Sequence, residues 1–175
     1  MKPTETLGHE HKIISLVLDG AEREARNIRE TGKADAEKIE KMLDFFRNFA
    51  DKCHHAKEER HLFVELNRRG LPKNGGPIGV MLSEHEQGRA LLRVVAERLQ
   101  DANPAGLSDA LLAYVNLLRA HIDKENKILF PMADRLLTDQ DQKDLEEKFE
   151  KLESEEMGLD THEKYHHLAH ELSEM

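Results

Sequence analysis

The sequence predicts an all-α protein, an up-down-up-down four-helix bundle with additional helices at its C-terminus. Apolar residues recur at intervals of three and four along four long stretches, which is the spacing of an amphipathic helix. Charged residues make up 35% of the chain and aromatic residues 5%, a composition typical of helices with charged outer faces. The turns between the stretches are short, and short connections favour antiparallel neighbours in a bundle.

The chain has 175 residues, enough for one domain with a buried core, and no shift in composition indicates a second domain. We therefore expect a single domain over residues 1–175. Within it, residues 7–135 are predicted to form the four-helix bundle and residues 138–175 a C-terminal helical extension.

The first helix is predicted over residues 8–30, with an apolar stripe that includes His11. At about 100° per residue, His9 falls on the opposite face. Glu10 lies at the edge of the stripe and stays a second candidate for a buried role. His11 is therefore the favoured histidine of this helix.

The second helix is predicted over residues 36–68. Its clearest stripe runs through His54 and Glu58 at steps of four, so these two side chains share one helix face. His55 and Glu59 lie on a neighbouring stripe that carries more charge and is expected to be wetter. The pattern favours His54 and Glu58 as the inward pair.

The third helix, predicted over residues 78–101, places His85 on its apolar stripe. Gly88 follows one turn later on the same face. A glycine inside a helix costs about 1 kcal/mol relative to alanine, so it requires a reason. We interpret Gly88 as room for a small molecule beside whatever His85 binds.

The fourth helix carries His121 and Glu125 in phase with the apolar residues before them. A fifth, very polar helix is predicted to extend to about residue 156, and its acidic residues, Glu153 among them, are expected to face solvent. The tail at residues 160–175 is predicted to be a short amphipathic helix that packs back through its apolar residues.

The helix ends are predicted from capping residues. Gly32 is expected to end the first helix, because glycine readily adopts the left-handed backbone of a C-cap. Asp35, Ser108 and Thr138 are the predicted N-caps of the second, fourth and fifth helices. Pro131 is expected to kink or end the fourth helix near its position.

A ten-residue pattern, His-x-x-Lys-Glu-x-x-x-Leu-Phe, occurs twice, at residues 54–63 and 121–130. Each copy offers one imidazole and one carboxylate from the same helix face. Together with the inward histidines of the first and third helices, the two copies define one set of inward polar side chains. The set is His11, His54, Glu58, His85, His121 and Glu125.

Four imidazoles and two carboxylates are expensive to bury unless a cation lies between them. A single core histidine is more often a hydrogen-bonding group, and one His–Glu pair can be a surface ion pair. Two copies of one pattern, with two further histidines in phase, favour a metal site over these alternatives. Two bridging carboxylates with terminal histidines suit a pair of iron ions, or of manganese ions.

On these residues the chain resembles the hemerythrin-like (HHE cation-binding) domain proteins. The resemblance covers residues 7 to about 135. It implies a non-heme di-iron centre with an oxo or hydroxo bridge, in which the four histidines are terminal ligands and the two glutamates bridge the ions. The matching elements are, in chain order, Glu10-His11, His54-x-x-x-Glu58 and His121-x-x-x-Glu125.

The third helix departs from the oxygen-carrying members of that family, which have His-x-x-x-His there. This chain has His85 followed by Arg89 at the second position, so one iron would lose an imidazole. The chain is similar instead to bacterial hemerythrin-like proteins with a more open site, which implies oxygen, peroxide or nitric oxide as the small-molecule ligand. Arg89 is interpreted as steadying a bound anion or reaching solvent.

Three functions remain open at this point. The protein binds or senses oxygen or nitric oxide without turnover, or it is a di-iron oxidoreductase that consumes peroxide or nitric oxide, or it stores and donates iron. The missing third-helix ligand slightly favours the enzyme, since an exposed iron is more reactive. The sequence also allows a bundle with a single metal ion.

The composition excludes some partners. The net charge is −9, whereas the binding of phosphate backbones requires a basic face. No apolar run approaches the length of a membrane span, and the N-terminus lacks the apolar segment of a signal peptide. We therefore expect a cytoplasmic protein without a nucleic-acid or membrane partner.

Two features lie outside the ligand set. The run His162-Glu-Lys-Tyr-His166 matches the zinc-peptidase pattern His-Glu-x-x-His, but the tail offers no obvious third ligand or substrate cleft. The match is expected to be accidental, with an auxiliary metal site in this His-rich tail as the alternative. Cys53 is interpreted as a small core residue rather than a redox-responsive thiol.

Overall fold

The structure is a computed structural model that describes residues 1–174, and within that range the chain forms six helices and no strand. The all-α prediction is confirmed. The helices are α1 (Pro3–Thr31), α2 (residues 36–68), α3 (Gly76–Gln100), α4 (residues 104–136), α5 (residues 139–157) and α6 (Leu159–Glu174). Met175, the end of the predicted tail helix, lies outside the described residues. Over residues 1–174, none of the helices combines the length and the apolar character that crossing a membrane requires.

Helix α2 is not a regular α-helix throughout. It consists of α-helix at Ala36–Phe45, π-helix at Phe46–His55 and again at Glu58–Leu62, and α-helix at Phe63–Arg68. In a π-turn the hydrogen bonds join residues five apart, so each turn holds more residues and consecutive side chains are separated by a smaller angle. Neighbouring residues of α2 therefore come closer to sharing one face than α-helical spacing predicts.

Helix α4 contains the same kind of irregularity. Its first part, Pro104–Lys124, is α-helical, its middle, Glu125–Leu129, is a π-turn, and its last part is Phe130–Leu136. The helix does not end at Pro131 but continues to Leu136. The π-turn lies directly before Pro131, whose missing N–H and bulky ring are incompatible with a regular α-turn at that point.

Three of the predicted caps are confirmed. Gly32 ends α1 with left-handed backbone (φ 70°). The side chain of Asp35 accepts a backbone hydrogen bond at the start of α2, and that of Thr138 does so at the start of α5. These caps satisfy backbone N–H groups that the first turn of a helix leaves without partners.

The prediction for Ser108 is wrong. Helix α4 begins earlier, and the side chain of Asn103 caps it by accepting a hydrogen bond from the N–H of Gly106. Ser108 is fully buried, and its hydroxyl donates to the carbonyl oxygen of Ala25 at 2.9 Å. The residue therefore joins α4 to α1 instead of beginning a helix.

A polar layer lies between two apolar cores in the four long helices. Along α1, Leu7 belongs to the smaller core and Ile14 to the larger one, and His11 lies between them. Along α2 the order is reversed, from Ala50 in the larger core to Leu62 in the smaller one. The histidines and glutamates of the repeated pattern are thus closed off from water on both sides by apolar side chains.

Helix α6 packs against α1 and α2, as predicted for the tail. Tyr165, Ala169 and Leu172 are its buried contacts. The closest approach is at Gly20 of α1, where an added Cβ atom would lie 2.5 Å from the carbonyl oxygen of Leu172. Any larger residue at position 20 would displace α6, so the absence of a side chain there permits the packing.

Candidate metal centre

The four long helices bring the six predicted ligands together in one buried cluster. Each of the six is at most 2% exposed. Because they come from four helices and lie in the layer between the two apolar cores, their polar atoms face one another. The residues are His11 of α1, His54 and Glu58 of α2, His85 of α3, and His121 and Glu125 of α4.

His55 also faces the cluster, although the sequence pattern placed it on a wetter stripe. It is 5% exposed, and its ring stacks on that of His85 with centroids 3.8 Å apart. The π-helix at Phe46–His55 explains the difference, because the smaller angle per residue turns both His54 and His55 inward. The prediction for His55 is therefore wrong, whereas His9 is exposed as expected.

The inward donor atoms divide into two groups, each suited in size to one metal ion. Within each group, one donor atom per residue lies within 4.8 Å of the others. Glu58 belongs to both groups. The first group is His11, His54, Glu58 and Glu125, and the second is His55, Glu58, His85 and His121.

Both inward carboxylates lie between the two groups. In each of them the same oxygen, Oε1, faces the Nε2 atom of one imidazole from either group. This is the position that a bridging carboxylate would take. The four Oε1–Nε2 distances are 3.7 Å for Glu58–His54, 3.3 Å for Glu58–His85, 3.2 Å for Glu125–His11 and 3.1 Å for Glu125–His121.

Every inward imidazole forms a hydrogen bond through its Nδ1 atom, while its Nε2 atom remains for the cluster. The partner atom is in each case an oxygen that accepts, so Nδ1 carries the ring proton and donates it. This leaves the lone pair on Nε2 for a metal ion. The Nδ1–O distances are 2.7 Å for His11–Asn126, 2.9 Å for His54–Glu10, 3.2 Å for His55–Asp51, 2.7 Å for His85–Glu59 and 3.0 Å for His121–Glu84.

A layer of basic side chains in turn holds the carboxylates behind the imidazoles. Lys57 is fully buried, and its ammonium group pairs with Glu10 at 2.5 Å. Burial alone would raise the pKa of Glu10, but the hydrogen bond from His54 and the charge of Lys57 lower it to about 2. The pairs of this layer are Lys57–Glu10, Lys124–Glu84, Arg89–Asp51 and Arg89–Glu59.

Arg89, which was expected to steady a bound anion or reach solvent, binds carboxylates instead. Its guanidinium donates to both oxygens of Asp51 at 3.0 Å and to Glu59 at 2.5 Å. These two carboxylates accept the Nδ1–H groups of His55 and His85. Arg89 is therefore a positioning residue that acts on two imidazoles through two carboxylates.

Replacing Arg89 by Gln is expected to weaken metal binding about 10-fold, the lower end of the range for residues that orient metal ligands. Asp51 and Glu59 would lose their counter-charge and hold the two rings less firmly. Competition with a chelator measures the affinity. Arg98→Gln on the same helix is the control, since Arg98 pairs with exposed Asp101 far along α3 from the cluster. Equal affinities in the two variants would contradict the positioning role.

The inward carboxylates are short of hydrogen-bond partners among the described residues. Within residues 1–174, both side-chain oxygens of Glu58 and Oε2 of Glu125 are buried without a hydrogen-bond partner. Burial and the charge of Glu125 raise the pKa of Glu58 well above its ordinary value. The facing imidazole atoms are acceptors as well, with Nε2 of His85 and His121 only 3.1 Å apart. Acceptors in mutual contact need cations between them, and this mixed nitrogen and oxygen set fits iron or manganese.

Gly88 packs against α4. A Cβ atom at this position would lie 3.5 Å from Cε2 of Tyr114 on α4, so the ring of Tyr114 occupies the space beside the glycine. The interpretation of Gly88 as room for a small molecule is therefore not supported.

Cys53 is fully buried, and burial raises the pKa of its thiol to about 12. A thiol with such a pKa does not form a thiolate near neutral pH and is unreactive. This agrees with the interpretation of Cys53 as a small core residue.

Comparison with known proteins adds to this geometry. A family model described as the hemerythrin HHE cation binding domain matches residues 2–133, a stretch that contains the whole cluster. The chain is 25% identical over 160 residues to the uncharacterized protein Rv1995 of Mycobacterium tuberculosis, and the match covers 88% of the chain and 62% of that relative. No solved structure gives a significant match.

Other relatives are named iron-sulfur cluster repair protein YtfE. The chain is 31% identical over 137 residues to the Edwardsiella ictaluri protein, which covers 71% of the chain and 59% of that relative. It is 32% identical over 88 residues to an Escherichia coli protein of the same name, with 46% and 40% covered. The chain thus matches about three fifths or less of the length of these curated relatives.

Proposed function

The chain belongs to the hemerythrin HHE cation-binding domain family, and we propose that its buried cluster holds a pair of non-heme iron ions that bind or react with oxygen, peroxide or nitric oxide. One observation carries this proposal. Five imidazoles anchored through Nδ1 converge with two carboxylates that lack partners for three of their oxygen atoms among the described residues. Bound iron would supply an open coordination position and a change of redox state.

The two donor groups suggest which residues hold each ion. The short distances from Glu58 and Glu125 to both groups support their bridging role. The reversed order of the two apolar cores along α1 and α2 supports the up-down-up-down course expected of the bundle. In this assignment the first ion is held by His11 and His54, the second by His55, His85 and His121, and both by Glu58 and Glu125.

His55 would replace the imidazole that the third helix lacks. The absence of a second histidine on α3 therefore no longer favours an exposed, reactive iron, and binding of a ligand is favoured over turnover. His11 and His54 would hold the first ion with one imidazole fewer than the second group offers, so an outside ligand would be expected to bind on this side. Phe130 stacks on His11 with centroids 5.3 Å apart and keeps water from this side.

Replacing His55 by Gln tests its role as a ligand. We expect the variant to retain about one iron per chain where the wild type holds two, because only the second group loses an imidazole. Iron is counted by mass spectrometry after anaerobic reconstitution and desalting. His61→Gln, a half-exposed position on the same helix, is the control. Full iron content in His55→Gln would show that His55 is not a ligand.

A second candidate function is the donation of iron. Its support is the similarity to relatives named for iron-sulfur cluster repair, a process that requires iron. Such a protein would release its metal readily, whereas a ligand-binding protein would keep it through repeated cycles.

The test begins with protein purified without added metal. About two irons per chain, with near-ultraviolet absorption that shifts on addition of azide, is the result expected for a ligand-accessible pair. One zinc per chain and no absorption band would contradict the iron proposal.

The second step separates the functions. The reduced protein is exposed to oxygen or nitric oxide, the gas is removed, and the spectrum and iron content are measured again. Recovery of both indicates ligand binding. Loss of iron to a chelator during the cycle indicates donation, and steady consumption of peroxide or nitric oxide indicates an enzyme.

A further inference from the structure

A second group of metal-binding side chains lies outside the buried cluster, where α5 ends and α6 begins. Glu153 comes from the last turn of α5, and His162 and His166 come from the first half of α6. Nε2 of His162 is 3.7 Å from Oε1 of Glu153. The rings of His162 and His166 have centroids 4.6 Å apart. Donor atoms of Glu153, His162 and Glu10 lie within 4.8 Å of one another, and the ring of His166 lies beside that of His162.

The chain folds this way because α5 and α6 meet at Gly158. Gly158 ends the π-turn of α5 with φ 73°, a left-handed conformation that glycine adopts without strain. Beyond it α6 packs along α1 and α2, and its His162 stays beside Glu153 at the end of α5. His162 and His166 are four residues apart on one helix, so their side chains lie one turn apart on the same face.

This group opens on a surface cavity of about 440 Å³. His162 is 27% exposed and Glu153 24%, so both can take up an ion from solvent. The remaining walls of the cavity include His9 and Glu10 of α1.

Charged groups of both signs lie around the cavity. Glu153 and Glu10 share the ammonium group of Lys57, which pairs with both carboxylates. Lys12 also lines the cavity, so the two carboxylates are balanced in charge and a metal ion there would depend on its direct ligands. Glu153 was expected to be an ordinary solvated residue of an acidic helix, and the structure instead places it in this polar corner.

We propose that Glu153, His162 and His166 form a second, solvent-accessible site for a divalent transition-metal ion such as zinc. Two imidazoles and a carboxylate are a donor set that such ions accept, and the His-Glu-x-x-His pattern of the tail supplies the imidazoles at metal-binding spacing. The structure adds Glu153 as the third ligand that the sequence alone did not reveal. Glu163 is exposed, and the proposal concerns metal binding, not peptide hydrolysis.

The site shares no ligand with the buried cluster but adjoins it through Glu10. One oxygen of Glu10 accepts the Nδ1–H of His54, and the other binds Lys57, which in turn pairs with Glu153. A metal ion at the surface site would also join α6 to α5, since its ligands come from both helices. Occupancy would thereby fasten the tail helix onto the bundle.

The experiment uses zinc as the probe on protein whose buried cluster has first been loaded with iron and desalted. Calorimetric titration and metal analysis count the zinc ions that bind. We expect one zinc per chain in the wild type and none in the double variant His162→Gln/His166→Gln. The control is His167→Gln/His170→Gln, which removes two exposed histidines of the same helix and is expected to keep the zinc. No binding in the wild type, or equal binding in both double variants, would overturn the proposal.

A measurement on the wild type alone guards against misfolding of a variant. Diethylpyrocarbonate modifies accessible histidines, and zinc should protect His162 and His166 while leaving His167 and His170 reactive. Unprotected His162 and His166 at saturating zinc would also overturn the proposal. The same titration on Glu58→Met, whose buried cluster is disabled, shows whether the surface site persists when the buried one fails.

Discussion

Replacing Glu58 by Met is expected to remove both ions from the buried cluster. Glu58 faces one imidazole of each donor group, so the substitution takes one ligand from each site at once. Loss of an orienting partner alone weakens metal binding roughly 10- to 100-fold, and loss of a shared ligand should exceed that range. Iron content after anaerobic reconstitution and desalting should fall to near zero.

The same substitution should not lower the free energy of unfolding of the metal-free protein. Glu58 is fully buried, and within residues 1–174 neither of its carboxylate oxygens has a hydrogen-bond partner. An unsatisfied buried polar group costs about 1–3 kcal/mol, and Met fills a similar space without that penalty. Urea denaturation of the two apo proteins should therefore give Glu58→Met an equal or higher free energy of unfolding.

Glu40→Met is the matched control, because it makes the same exchange at an exposed position of the same helix. It should keep both irons. A Glu58→Met protein that retains its iron, or whose apo form is markedly less stable than the wild type, would show that Glu58 has a structural partner rather than a bridging role.

The wild type without iron should have a free energy of unfolding about 5 kcal/mol lower than the wild type at a free iron concentration 100-fold above the dissociation constant. Each site then contributes about 2.7 kcal/mol through binding to the folded state alone. For a chain of this size, 1 kcal/mol corresponds to about 2–4 °C, so the Tm should fall by about 10–20 °C. Thermal unfolding followed by circular dichroism, with and without anaerobic iron, measures the shift.

The iron dependence of the Tm should disappear in Glu58→Met, whose apo and iron-treated forms should melt together. A wild-type Tm that does not respond to saturating iron would indicate that the folded cluster takes up no metal. A similar rise in Tm on addition of iron to Glu58→Met would place the stabilising ion elsewhere, for instance at the surface site near His162.

The helical spacing of apolar residues was enough to predict the long helices and the inward side of each. His11, His54, His85 and His121 all lie on apolar stripes, and the structure brings them together with Glu58 and Glu125. Their assignment as ligands stays a prediction, which the iron counts of the His55 and Glu58 variants test. The prediction of the inward set worked because burial follows from local periodicity in a regular helix.

His55 could not be placed by the same reasoning, since it assumes 100° per residue and the π-helix of α2 does not obey that angle. The tandem pair His54-His55 was the only feature of the sequence that could have indicated an inward His55. The partners of the Nδ1 atoms were hidden for a different reason. Glu84 lies on α3, but its carboxylate accepts the hydrogen bond from Nδ1 of His121 on α4. Such contacts between helices depend on packing that no local sequence pattern specifies.

The π-turns of α2 also affect how such a metal centre can change during evolution. A π-turn corresponds to an α-helix that carries one extra residue, so the insertion or deletion of a single codon can create or remove it. At Phe46–His55 that extra residue lets a tandem pair of histidines face inward together. A lineage could therefore gain or lose an iron-coordinating imidazole without substituting any histidine, and two aligned chains with the same histidines could coordinate their metals differently.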